Sequence, residues 1–327
     1  MLSFEDFKGQ SAHIAQLHSD FAGGTFVHAY LLCGPRGTGK KSVARLCAMT
    51  AVCRAGQGRP CGQCGPCRRI LSDTHPDLHT VLPLKGKKTI GVDVMRDVLA
   101  EVGVKSFEGT TKTLILPQAE LMTAAAQNCL LKTLEEPPQD TVFFLITDQP
   151  GALLPTIVSR CRVIRFHPLT QEECEKRLVA LGQSPQEAQR RARMAEGCVG
   201  QALEIDEERL ELLQALTRSV FSIKKPADVL SVVNQYKDDK ERQGQIMDLL
   251  ESAVRDMMLV QSGAQPLHGG YAQEAQNYAQ TVPLGGGLAL YETITRARMM
   301  LGSNVAFASA FESVLLKVSE EYIKWPW

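Results

Sequence analysis

The sequence carries no excess of either charge, because 36 Lys+Arg are matched by 36 Asp+Glu over 327 residues. A basic overall field is therefore absent, and any nucleic-acid contact has to come from a local patch. Long apolar runs are also missing. Stretches such as Val142–Ile146 fall far short of the roughly 20 residues that cross a bilayer, so no membrane-spanning helix and no membrane partner are expected. The opening residues MLSFEDFKGQ lack a basic region followed by an apolar one, so no secretory leader is expected and the chain is expected to be cytoplasmic. Internal repeats and low-complexity tracts are not evident. What is there, 44% hydrophobic and 22% charged residues, suits a globular protein of two or three domains. Ten cysteines in a reducing compartment are poor candidates for disulfides, so an ordered cysteine pattern points to metal.

The first half alternates short β-like runs with helical patterns. Ala29–Cys33, Leu78–Leu82, Thr113–Leu116, Val142–Ile146 and Val163–Phe166 read as strands, and Val92–Val104 and Ala124–Leu134 read as helices, the latter stopped by Pro137–Pro138. This alternation predicts an α/β domain with a parallel sheet covered on both faces. After Pro168 the β signal ends. Gln171–Leu181 and Pro185–Glu196 read as two short helices, and the pattern from about Asp206 onward is helical, interrupted by Pro226, Gly263–Gly270 and Pro283–Gly287. The expected domains are residues 1–166 (α/β), 167–205 (a small helical lid) and 206–327 (all-helical).

Gly34-Pro-Arg-Gly-Thr-Gly-Lys40 fits G-x-x-x-x-G-K between a predicted strand and a predicted helix. The glycines Gly34, Gly37 and Gly39 let backbone N–H groups converge on phosphate oxygens around Thr38, and Lys40 would reach the outer phosphates. The next residue of such a P-loop supplies a hydroxyl to Mg²⁺, but here it is Lys41. Ser42 is one step further along the helix, a turn of about 100° that aims its hydroxyl elsewhere. Lys41 is either a plain surface residue or a cation set against the metal position. The acidic pair is also missing, because Leu114-Ile115-Leu116 is followed by Pro117-Gln118. Glu120 is expected to lie beyond reach. Mg²⁺ is therefore not expected, ATP or ADP binding is in doubt, and the loop is expected to be vestigial or structural.

Cys53-x7-Cys61-x2-Cys64-x2-Cys67 puts four thiols within fifteen residues, among turn-forming Gly56, Gly58, Pro60, Gly62 and Pro66. Four thiolates in a closed tetrahedron favour structural zinc, with Cys53, Cys61, Cys64 and Cys67 as ligands in a module over 53–67. The alternatives are an iron–sulfur cluster and a redox pair. Cys33, Cys47, Cys129, Cys161, Cys174 and Cys198 are dispersed and read as small buried apolar residues. Lys85, Lys87 and Lys88 form a short basic loop that reads as a solvated face.

Ser159-Arg160-Cys161 follows the fourth strand-like run. With Phe4–Gln10, His28-Ala29-Tyr30, the P-loop and the cysteine cluster after its helix, it joins His75-Pro76-Asp77, Asn128–Pro138 and Ile157–Cys161 in one ordered set. Taken together these segments resemble the bacterial DNA polymerase III clamp-loader AAA+ subunits, the delta-prime and gamma/tau group. The C-terminal part matches more loosely, chiefly at Arg255-Asp256 and Asn304–Phe311. The resemblance implies a P-loop AAA+ domain with an inserted zinc module, a lid and a helical collar domain. It also implies Arg160, flanked by Ser159 and Cys161, as an arginine finger reaching a neighbour's ATP site, a task suited to a permanently charged fork. Three family features of an ATPase are missing: Lys41 and Pro117-Gln118 replace the metal-binding groups, and Gly200 stands where a lid arginine would sense nucleotide. These departures imply the delta-prime kind, with no ATPase of its own. Its implied partners are the gamma/tau and delta subunits and, through the complex, the sliding clamp and primed DNA. A divergent gamma/tau-type ATPase and a purely structural zinc-containing scaffold stay open as alternatives.

Overall fold

A computed structural model describes residues 3–107, 111–205, 207–239, 242–264, 273–302 and 305–324. Asn304 and most of the Gly263–Gly270 interruption lie outside the described residues. The chain divides into two compact units, Met1–Ala202 and Leu203–Trp327.

The first unit is built on five parallel strands: β1 (Ala29–Cys33), β2 (Leu78–Thr80), β3 (Lys112–Leu116), β4 (Thr141–Thr147) and β5 (Arg162–Arg165), in the spatial order β2-β3-β4-β1-β5. All residues of β1, β3 and β4 are buried, and their near-continuous apolar runs are what strands covered on both faces require. The edge strands β2 and β5 are partly exposed.

The two-residue period of the strands sorts the core into two layers. Tyr30, Leu32, Phe144 and Ile146 pack against α1 (Ser11–Gly23) and α2 (Lys40–Val52) through Leu17, Phe21 and Leu46. Ala29, Leu31, Phe143 and Leu145 face α4 (Val92–Gly103) and α5 (Ala124–Glu135) through Met95 and Leu130, α3 being the short helix Gly65–Leu71. Burial of Phe143 and Phe144, both fully inaccessible, is worth about 1.5–3 kcal/mol each. Helix α5 starts where the Thr123 hydroxyl accepts from Ala126 N (3.2 Å) and stops before the two prolines. Helix α6 (Pro155–Val158) leads into β5.

Three helices follow β5: α7 (Gln171–Ala180), α8 (Pro185–Met194) and α9 (Val199–Glu204). Thr170 and Glu173 close a reciprocal cap on α7, and Ser184 with Pro185 starts α8. The second unit contains α10 (Glu207–Phe221), α11 (Pro226–Tyr236), α12 (Gln243–Gln261), α13 (Gln273–Thr281), α14 (Leu284–Gly302) and α15 (Phe307–Lys324), with no strand among its described residues. Its core contains Phe311, Val314, Leu315 and Val318 of α15, whereas Val305 is exposed. These four α15 residues recur at helical spacing, and that stripe is the unit's own interior, closed to a partner. No helix among the described residues is long and apolar enough to cross a membrane.

Candidate functional site

The phosphate-type loop leaves β1 at the carboxyl end of the sheet, the end at which open α/β sheets place ligands. Gly34 N donates to Thr147 O (3.2 Å), Thr38 Oγ1 donates to Pro35 O (2.8 Å), and Gly39 adopts the left-handed conformation just before α2. Lys40 does not extend outward. Its side chain is buried, and the ammonium donates to the loop's own carbonyls at Gly34 (2.5 Å) and Pro35 (2.7 Å). Burial lowers its pKa, against the opposing pull of Asp148, Cys198, Glu120 and Cys33.

The chain also closes over the loop. Gly200 N donates to Gly37 O (2.8 Å), and the Gln201 amide donates to Arg36 O (2.9 Å). Gly37 has φ +81, and a Cβ there would lie 2.6 Å from Gln201 N; a Cβ on Gly200 would lie 2.8 Å from Gly37 Cα. Only two glycines can meet backbone to backbone at this distance. On the other side the Phe7 ring rests against Gly39, where a Cβ would meet Phe7 Cε1 at 2.4 Å.

Lys41 is exposed at the start of α2, and Gln118 is exposed after β3. Glu120 departs from expectation. It is not out of reach, because its carboxyl is half-buried near Thr147, Asp148 and Lys40. Desolvation raises its pKa, with the Thr147 hydroxyl and Lys40 acting in the opposite direction. A short 3-10 turn over Ala119–Leu121 folds the chain back after Pro117, and spacing along an extended strand could not reveal that return.

The four clustered cysteines do come together. Their Sγ atoms all lie within 4.8 Å of one another. A tetrahedral zinc with Zn–S near 2.3 Å needs sulfurs about 3.8 Å apart, so the donor set fits such an ion after small adjustment. Cys53 is the residue at which α2 ends, Cys64 precedes α3, and Cys67 is buried within α3. Cys61 N points at Cys53 Sγ and Cys64 N at Cys61 Sγ, both at 3.4 Å. The backbone N–H groups of Cys64 and Gln63 pull the Cys61 thiol down to about 6, favouring the thiolate that metals bind. Arg45 anchors the module by donating to Ile70 O (2.6 Å) and pairing with Asp73 (2.9 Å).

Arg160 follows α6, with Ser159 Oγ donating to Thr156 O (3.1 Å). Burial pushes the Cys161 thiol up to about 12, so it stays a neutral packing group. In the parallel register Arg162 pairs with Tyr30, which puts Arg160 at the amino ends of the strands. Gly34 lies at the opposite end, four residues beyond Tyr30 and so more than about 13 Å away along the strand direction. Arg160 therefore cannot touch a phosphate held by this chain's own loop. Its guanidinium, 35% exposed, donates to Thr156 O (2.9 Å) and to Glu135 Oε1 (2.5 Å).

Comparison with known proteins places the chain in a family. A model described as DNA polymerase III, delta subunit, matches residues 9–170. The DNA polymerase III subunit delta' of Bacillus subtilis is 34% identical over 310 residues, spanning 90% of this chain and 91% of that protein. The chain belongs to the DNA polymerase III delta' family. The Escherichia coli delta' subunit is 39% identical over 154 residues, 47% of this chain and 46% of that protein. The Bacillus subtilis tau subunit is 36% identical over 170 residues, 52% of this chain and 30% of that protein. A gamma subunit-related protein of Thermotoga maritima covers 94% of this chain and 99% of its own at 16% identity and TM-score 0.47.

Within this delta' family member, sequence reasoning missed two features. One is Phe7 under Gly39; nothing in the P-loop motif signals it, since it comes from a separate segment. The other is Glu135, the partner of Arg160 from 25 residues away. A signal for it was present: Glu135-Glu136 at the end of a helix puts carboxylates against the negative end of its dipole, which calls for a cation nearby.

Proposed function

We propose that this chain is the non-hydrolysing delta-prime-type subunit of a DNA polymerase III clamp loader. It takes part in ATP-driven loading of the sliding clamp onto primed DNA, beside gamma/tau and delta neighbours. Its own nucleotide site is inert, and Arg160, set between Ser159 and Cys161, serves an adjacent ATPase subunit as an arginine finger. The observation that carries this reading is the separation of two cations. Lys40 is buried and spent on the loop's own carbonyls, while Arg160 is partly exposed at the far end of the sheet with donors to spare. Gly200, lying on Gly37, supports the same conclusion, because it fills the space above the loop instead of sensing a nucleotide. Residues 167–205 act as the lid and residues 206–327 as the oligomerisation collar, with exposed Leu284, Leu288 and Ile323 rather than the buried α15 stripe available to partners.

The test is ATP hydrolysis by the purified chain, alone and then in the reconstituted loader. No Mg²⁺-dependent turnover is expected from the chain alone. Glu120 near Lys40 favours the divergent gamma/tau-type ATPase as a second reading. A steady turnover abolished by Lys40→Ala would establish that alternative instead.

The cysteine cluster holds one structural zinc through Cys53, Cys61, Cys64 and Cys67. Elemental analysis of protein purified without added metal checks this, and finding iron or no metal overturns it. Cys64→Ser should loosen the 53–67 loop, seen as faster amide exchange there, because metal binding and local folding are coupled. The sheet and its two core layers should stay protected.

A further inference from the structure

We propose that Glu135 is the positioning residue for Arg160, holding the guanidinium in the orientation from which it meets a neighbour's phosphate. The proposal rests on the trans role of Arg160 argued above.

Helix α5 ends at Glu135, with a second acidic residue, Glu136, as its cap before Pro137 and Pro138. Carboxylates at a helix C-terminus sit against the partial negative charge of its unpaired carbonyls and weaken the helix end. Local stability therefore gives no reason for Glu135. Its Oε1 instead accepts from Arg160 Nη2 at 2.5 Å, across from a different element. The pair is exposed, with side-chain accessibilities of 35% for Arg160 and 51% for Glu135, a setting in which ion pairs contribute little to the fold.

The geometry suits orientation. Nη2 is engaged by Glu135 and Nη1 by the Thr156 carbonyl, so two of the five guanidinium N–H donors are committed and three remain for phosphate oxygens. Contacts on both terminal nitrogens fix the plane of the fork as well as its position, which one contact would not do. The base beneath it is rigid. Gln127 of α5, itself buried, donates to Ala152 O (3.1 Å) and accepts from Leu154 N (2.8 Å), tying α5 to the segment that opens α6. Glu135 and Arg160 are thus carried by two elements locked to each other. A long flexible side chain held this way enters the transition state already oriented, so the gain should appear in the rate of the chemical step.

The test uses the reconstituted loader with only the ATP site facing Arg160 active, comparing wild type, Glu135→Ala, Arg160→Ala and the double variant. With Glu135→Ala, kcat at that site should fall about two- to fivefold, the scale of an exposed charge pair. KM for ATP, the melting temperature and assembly should stay unchanged. In the Arg160→Ala background Glu135→Ala should have no further effect, because a positioning residue has nothing left to position. An unchanged kcat with Glu135→Ala, an equal loss in both backgrounds, or a fall in melting temperature that accounts for the loss each overturns the proposal. If Arg160→Ala itself leaves the neighbour's rate intact, the finger reading fails first, and that result is read independently of Glu135.

Discussion

The phosphate loop and the Ser159–Cys161 turn each present a cation of the kind that handles phosphate, and the structure treats the two in opposite ways. Lys40 is buried and donates to carbonyls five and six residues back in its own chain. Arg160 is partly exposed and keeps three donors uncommitted. A cation whose hydrogen bonds are satisfied within its own loop acts as a fastener, because releasing it would leave those carbonyls without their partner. A cation held at one edge on the surface costs the fold little to redeploy. The same chemistry therefore serves architecture at one end of the sheet and is available for reaction at the other.

The sharpest way to break this comparison is Arg160→Ala in the assembled loader. Hydrolysis at the facing site should fall by about 10³–10⁵-fold if the finger acts fully, with the site isolated by disabling the other motors. Arg160→Lys keeps the charge but loses the planar fork and should rescue poorly. The variant's own melting temperature should not move. Unchanged hydrolysis would reduce the subunit to a scaffold.

Lys40→Met should show the converse pattern. Gly34 and Pro35 carbonyls would lose a charged donor, costing about 1–3 kcal/mol in unfolding free energy. The loader's hydrolysis rate should be unaffected. Denaturant unfolding paired with the ATPase assay reads both, and a fall in hydrolysis at full stability would erase the distinction between the two cations.

Gly200→Ala is the gentlest probe. Its added methyl meets Gly37 Cα at 2.8 Å, so backbone has to shift, at a cost of about 1–2 kcal/mol. Amide exchange at Gly200 and Gln201 should quicken while β1 and β4 stay protected. Slow exchange retained at both would mean that the loop and α9 are not held by this contact.

Much of the site was legible in order along the chain. The parallel α/β class followed from buried apolar runs alternating with helical periods, because a strand covered on both faces has no polar side to show. The cysteine cluster was legible because its four thiols lie within one short segment, where spacing alone brings the sulfurs together. The presence of Lys41 after the P-loop lysine and of Pro117-Gln118 after β3 needed only the letters at fixed offsets from a motif.

Tertiary structure alone decided the rest, and the reason is the same in each case: the partners come from distant segments. Phe7 reaches Gly39, Gly200 reaches Gly37, Glu120 turns back toward Lys40, and Glu135 meets Arg160. The α15 stripe at Phe311, Val314, Leu315 and Val318 has the same helical period whether it faces its own core or another subunit, and only packing showed that it faces inward. Local sequence determined which groups exist and which elements carry them. The fold determined which of those groups spend their hydrogen bonds on each other and which remain available, because that depends on distances no periodicity encodes.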